Sequence, residues 1–222
     1  MKSVKLSVYE IENIEDCIPE IEKMYDFKFE NGELESVKSF EELCELIIEK
    51  INKKNVESCT SQQAFYKLRN SLITTKIIEK GNLNIETKLT TLFPRKSRKA
   101  LIEKVENDIK FKLAILKAPD FITIPLIVIG IISFVLLFFY LKVGFIGVLT
   151  CSLGLYLSNK LGNEISVKTV KELVEKITSE NYLAVRRDDS TINKTELKKI
   201  ITKWISENSS IEKGKLENAT FE

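Results

Sequence analysis

Residues 121–159 read FITIPLIVIGIISFVLLFFYLKVGFIGVLTCSLGLYLSN, and Lys142 is the single charge among them. Residues 121–141 carry none, which matches the roughly 20 residues needed to span a hydrocarbon core. Residues 143–159 are also uncharged, and Lys160 follows. The pattern predicts two spans, 121–141 and 143–160, joined by a short turn at residues 142–144. Pro125 falls near the start of the first span, where its missing N–H costs little. Outside this stretch the chain changes character, because every other charged side chain lies there and charges make up more than a third of it. Such a chain is highly charged soluble material around an apolar insert, neither an ordinary soluble globule nor a disordered polymer.

The residues next to the insert set its expected orientation. Arg95, Lys96, Arg98, Lys99, Lys104, Lys110, Lys112 and Lys117 precede it, Lys160, Lys168 and Lys171 follow it, and the turn has only Lys142. An excess of Lys and Arg marks the cytoplasmic side, so both flanks are expected there, with the turn outside. Residues 1–16 have no apolar core and turn acidic, unlike a signal peptide. The Lys-, Ile- and Asn-rich composition suggests an AT-rich bacterium and hence its inner membrane. The second span carries Gly147, Cys151, Gly154 and Ser158, small groups on one helix face that let two backbones approach closely. That face can serve the partner span of the same hairpin or a second copy. Arg95, Lys96, Arg98 and Lys99 are candidates for contact with anionic lipid headgroups, or a solvated turn that only sets topology.

Charge elsewhere is polarised. Residues 1–50 hold 14 acids and 6 bases, and residues 51–120 hold 15 bases and 7 acids, although the whole chain is only +2. A nucleic-acid binder is usually basic overall, so none is expected as a partner. The chain has no histidine, which removes the commonest general base and metal ligand. Cys17, Cys44, Cys59 and Cys151 show no pairing or zinc spacing. No nucleophile–base pair, metal cluster or phosphate loop can be assembled, so the expected activity is non-enzymatic, with no cofactor. Residues 186–189, RRDD, read as a solvated linker.

The soluble parts repeat. Residues 36–47, SVKSFEELCELI, match residues 166–177, SVKTVKELVEKI, at an offset of 130. Each opens with a capping box, Ser39 with Glu42 and Thr169 with Glu172. Each then places apolar groups at i, i+3, i+4 and i+7: Phe40, Leu43, Cys44 and Ile47, against Val170, Leu173, Val174 and Ile177. A second helix follows in both, over residues 60–78 and 193–211, with capping signals at Thr60–Gln63 and Asn193–Glu196. Phe65, Leu68, Leu72 and Ile73 match Leu197, Ile200, Trp204 and Ile205. Both then reach Ile-Glu-Lys-Gly, at residues 78–81 and 211–214. Helical spacing also marks Ile14, Cys17, Ile18, Ile21 and Met24, and Leu101, Ile102, Val105 and Ile109. The chain divides into an acidic helical half-domain (1–59), a helical segment with a basic juxtamembrane end (60–117), the hairpin (118–161) and a carboxy-terminal segment (162–222) repeating 32–89. The expected fold is all-α.

This layout resembles acyl carrier proteins, small four-helix bundles. Residues 25–29, YDFKF, are similar to the step after that family's second helix, and residues 39–51 to its capped fourth helix. Residues 60–93 resemble its first helix and loop, and residues 98–113 its second helix. The resemblance implies one unit over 60–180 with the hairpin inserted, and a circularly permuted unit built from 190–222 and 1–55. The family attaches phosphopantetheine to a serine. The corresponding positions here are Phe93 and Ile11, and Ser97 and Ser7 lie four residues away without the motif. The expectation is a membrane-anchored interaction or scaffold protein, bound to the bilayer and to a cytoplasmic protein partner, with a homo-oligomer open. The alternatives are a membrane-tethered carrier or accessory of acyl metabolism, and a membrane-disrupting effector whose hairpin oligomerises.

Overall fold

A computed structural model describes residues 4–79 and 83–221. The protein is mostly helical, at 63%, as the helical periodicities predict. The first half holds β1 (Val4–Lys5), α1 (Val8–Glu15), α2 (Ile18–Tyr25), a 3-10 turn (Glu33–Ser36), α3 (Phe40–Ile51), β2 (Lys54–Asn55), α4 (Thr60–Thr74), α5 (Leu89–Leu92) and α6 (Arg98–Ile109). The second holds β3 (Leu116–Lys117), α7 (Asp120–Leu136), α8 (Leu141–Leu161), β4 (Glu164–Ile165), α9 (Val170–Glu180), α10 (Tyr182–Val185), β5 (Thr191–Ile192), α11 (Lys194–Ser209), α12 (Lys213–Leu216) and β6 (Ala219–Thr220). The strands are two residues each, too short for an alternation to show in the sequence. The chain divides into two compact units, Met1–Asn70 with Val174–Glu222, and Ser71–Leu173. The first of these units takes in segments from both ends of the sequence.

The first unit has a core of Ile14, Ile18 and Ile21, Phe40, Leu43, Cys44 and Ile47, and Leu197, Ile201 and Ile205. Ile200 and Trp204 pack partly buried against it. The apolar face over residues 14–24 belongs to two helices rather than one. The break falls at Asp16 and Cys17, and Pro19 stands at the start of α2, where proline is tolerated. Ser39 accepts from the Glu42 N–H at 3.3 Å while the Glu42 carboxylate accepts from Lys38 N–H at 2.8 Å, which starts α3. The chain ends pair here: β1 runs parallel to β6, and Phe221 N–H donates to Lys38 C=O at 2.9 Å. Strand β2 pairs parallel with β5.

The predicted cap at Thr60 forms differently. Thr60 lies inside α4, and the carboxylate of Glu196 accepts from Thr60 N–H at 2.9 Å and from Ser61 N–H at 3.3 Å. Leu68 and Leu72 of the expected face of α4 are buried, with Ala64 beside them, while Phe65 and Ile73 are half-buried.

In the second unit, Thr169 and Glu172 repeat the start of α3. Glu172 N–H donates to Thr169 Oγ1 at 3.2 Å, and Lys168 N–H to the Glu172 carboxylate at 2.7 Å. Leu89 N–H donates to Lys168 C=O at 2.9 Å. Helix α6 ends at Lys110 with φ of 69°, and Glu106 accepts from Leu113 N–H at 2.8 Å and from Lys112 Nζ at 2.8 Å. The end of α2 is alike: Asp26 has φ of 55°, and Glu22 accepts from Phe29 N–H at 2.8 Å and Lys28 Nζ at 2.5 Å. Of the repeated Ile-Glu-Lys-Gly, Lys80 and Gly81 lie outside the described residues.

Candidate functional site

Helices α7 and α8 pack antiparallel within the second unit. The order of approach shows it: Gly154 meets Leu126, Cys151 meets Gly130, Gly147 meets Ser133, and Gly144 meets Leu137. A Cβ on Gly144 would stand 2.5 Å from the Leu137 backbone nitrogen, so only glycine admits this approach. The turn therefore falls at residues 137–140, and Lys142 and Gly144 belong to α8, not to the connection expected at 142–144. Gly147, Cys151 and Gly154 face α7, and the Ser158 hydroxyl is buried with no hydrogen-bond partner.

The outer surfaces of both helices are apolar and bare. Phe121, Ile124, Ile131 and Phe134 are exposed on α7, and Val143, Phe145, Ile146, Leu149, Leu153 and Tyr156 on α8. Only Ser133, Gly144 and Cys151 are buried along the two. Among the described residues, α8 is the one helix long and apolar enough to cross a membrane, and α7 is apolar over 17 residues.

The hairpin stands on a short polar neck. Strands β3 and β4 pair antiparallel, Leu116 with Ile165 and Lys117 with Glu164. Gly162 lies so close to Lys117 that a Cβ would come within 2.6 Å of its carbonyl. Three of the four basic candidates bind the segment leaving α8. Arg98 is buried; its Nε donates to Phe93 C=O at 3.0 Å and its guanidinium donates to Asn163 C=O, with Glu164 at 3.8 Å. Arg95 pairs with Glu164 at 2.8 Å. Lys99 donates to Leu161 C=O at 2.9 Å, where the carbonyl end of a helix favours a cation. Lys96 is exposed. The sequence held a signal for Arg98, because it continues the stripe of Ile102, Val105 and Ile109 at helical spacing.

The first unit has a hollow of about 460 Å³ lined by Ile11, Ile14, Ile18, Leu34, Val37 and Phe221, with Glu15 and Glu22 also on its wall. Lys28 and the Phe29 N–H hold the Glu22 carboxyl below its usual range. Glu10 is held lower still, at about 2, by Lys215 and by Ser7. Ser7 caps α1, whereas Ser97 precedes α6 without a capping bond.

Arg186, which by sequence belongs to a solvated linker, is buried instead. Its guanidinium donates to Thr60 Oγ1 at 2.8 Å, Ser58 Oγ at 3.0 Å and Thr191 Oγ1 at 3.1 Å. Nothing local marks it, since two of those acceptors come from the opposite end of the chain. Cys17, Cys44 and Cys151 are buried and Cys59 is exposed, all free thiols; burial pushes the Cys44 thiol up to about 12, far from a nucleophile's range. Among the described residues, no cluster of His, Cys, Asp and Glu is placed to hold a metal. Scans against family models, curated proteins and solved structures find no match for the chain.

Proposed function

We propose that this chain is a membrane-anchored interaction protein. In this reading α7 and α8 cross the inner membrane as a two-span hairpin, and helical units resembling acyl carrier proteins present a protein-binding surface at the cytoplasmic face. The observation that carries it is the bare apolar surface of both helices, which leaves the small-residue face buried inside the pair. Soluble proteins rarely expose contiguous apolar patches beyond a few hundred Å². At about 1.5 Å per residue, α7 spans about 25 Å and α8 about 31 Å, against a core of about 30 Å. Arg95, Arg98 and Lys99 fasten the exit of α8 in this reading, and Lys96 is left for lipid headgroups. Anchoring raises the effective concentration of whatever binds at the same surface. The matched ends of α2 and α6 and the matched starts of α3 and α9 support the duplicated carrier-like layout.

The test is labelling in intact cells with a membrane-impermeant maleimide, in a Cys59→Ser background carrying Lys142→Cys. Labelling of the introduced thiol without permeabilisation is expected, while Cys59 of the parent protein reacts only after lysis. Extraction of the protein by alkaline carbonate, or equal reaction of both sites in intact cells, would overturn the anchored hairpin. Intact mass of the isolated protein separates the carrier alternative: a mass increase matching phosphopantetheine would replace the interaction reading with acyl-carrier chemistry.

A further inference from the structure

The hollow in the first unit has a counterpart in the second, and the two are walled with opposite chemistry. One constant shift along the chain carries Glu22, Asp26, Lys28 and Phe29 onto Glu106, Lys110, Lys112 and Leu113, the residues that end α2 and α6 with the same bonds. The same shift carries Ile11, Ile14 and Glu15 onto Arg95, Arg98 and Lys99. The repeat offset of 130 carries Leu34 onto Glu164. In the second unit Arg95 and Arg98 reach Glu164, and Arg98 and Lys99 take the carbonyls of Asn163 and Leu161. That wall is basic and holds an acidic, carbonyl-bearing piece of its own chain. In the first unit Ile11, Ile14 and Leu34 share one hollow, left open at about 460 Å³.

Glu15 and Glu22 stand on the wall of this hollow, and the segment that builds it is acidic. Residues 8–37 contain 10 acids and 2 bases, and Glu12, Glu15 and Asp16 are exposed along α1 and the step after it. A volume of this size accommodates one or two large apolar side chains, and these acids favour cations around them. From this apolar hollow and its acidic segment we infer that the first unit docks a basic amphipathic helix of a partner protein, whose apolar residues enter between Ile14, Ile18, Val37 and Phe221. Binding of an apolar helix face in a groove, read out at i, i+3, i+4 and i+7, is a recurring recognition mode. The inference rests on the interaction reading above and names the chemistry of its partner.

The experiment uses the full chain in phosphatidylcholine nanodiscs and a fluorescent peptide of about 18 residues, five helical turns, made of leucine and lysine with leucines at helical spacing. A peptide of the same composition in shuffled order is the control. Anisotropy is expected to show at least ten-fold tighter binding of the amphipathic peptide. Val37→Trp, which fills the hollow, is expected to weaken it about ten-fold. The exposed pair Glu12→Lys with Glu15→Lys is expected to weaken it to a similar degree and flatten its salt dependence, whereas Glu57→Lys leaves it unchanged. Should Val37→Trp fail to fold, the surface pair decides alone. Equal binding of the shuffled peptide, or undiminished binding to the surface pair, would overturn the inference. So would absence of peptide binding together with a dimeric mass that Val37→Trp returns to the monomer, which assigns the hollow to a second copy. If a stoichiometric partner is recovered from native membranes equally by wild type and by the surface pair, the interaction reading stands and only this docking site falls; if neither recovers one, the interaction reading falls.

Discussion

Ile14 and Arg98 occupy matching places in the two units, four residues ahead of Ile18 and Ile102 in buried stripes that run on through Ile21 and Tyr25, and through Val105 and Ile109. Ile14 and Leu34 both line an open hollow, whereas Arg98 is buried and spans to Phe93, Asn163 and Glu164. The helix ends below both are built alike, around Glu22 and Glu106. Under the duplicated layout proposed above, one scaffold carries an apolar pocket in one unit and a polar clamp in the other, with Ile14 and Arg98 at the place where they differ. Apolar contacts tolerate a gap at modest cost. A buried guanidinium does not, because every unpaired donor or carbonyl carries its desolvation penalty.

The severest way to break this comparison is Ile14→Arg. It buries a cation in the hollow that Leu34 also lines, and about 4 kcal/mol or more of stability is expected to be lost. Trp204, the single tryptophan, packs against the core of this unit, so denaturant unfolding followed by its fluorescence reads the loss. Adding Leu34→Glu is expected to return about 1–3 kcal/mol as coupling between the two sites; strict additivity would show that the two places are not equivalent. The reverse change, Arg98→Leu, leaves the carbonyls of Phe93 and Asn163 short of a donor. It is expected to cost about 3 kcal/mol, read as earlier reaction of the buried Cys151 thiol during denaturation in detergent.

Smaller effects sharpen the comparison. The Glu22 carboxyl lies below its ordinary value of 4.5 in the folded chain. Its contribution is therefore present above that value and lost as pH falls through the depressed one. Glu22→Gln is expected to flatten the acid limb of a Trp204 stability–pH curve and to leave its neutral and alkaline shape unchanged. Ser39→Ala and Thr169→Ala each remove one helix cap and are expected to lower stability by about 1 kcal/mol apiece, measured by thermal melting. A near-equal pair would mark the two caps as equivalent.

Much of this is legible in the sequence. The apolar stripes of α3 and α9 need only local spacing, and Phe40, Leu43, Cys44 and Ile47 are buried as the pattern predicts, as are Val170, Leu173, Val174 and Ile177. The apolar insert is legible by its lack of charge, but its turn is not. Composition cannot tell that Gly144 must lie against Leu137, and that approach moves the turn to residues 137–140. Arg98 reads as a headgroup ligand because charge next to an apolar stretch suggests lipid. Its acceptors, residues 163 and 164, arrive from the far end of the hairpin. Arg186 and the Glu196 cap on α4 are illegible for the same reason, since each is completed by residues from the opposite end of the chain.

The assembly of the first unit from both ends of the chain also fixes an order in time. The apolar face of α3 leaves the ribosome early, yet α11, which packs on it, starts only at Lys194, well after α3 has ended at Ile51. At about 5–20 residues per second that gap lasts about 7 to 30 s. Throughout it Phe40, Leu43 and Ile47 lack their final cover, and α7 and α8 emerge before it ends. Whatever receives the hairpin therefore acts on a nascent chain whose first unit is still open, and β1 closes on β6 only after α7 and α8 have emerged.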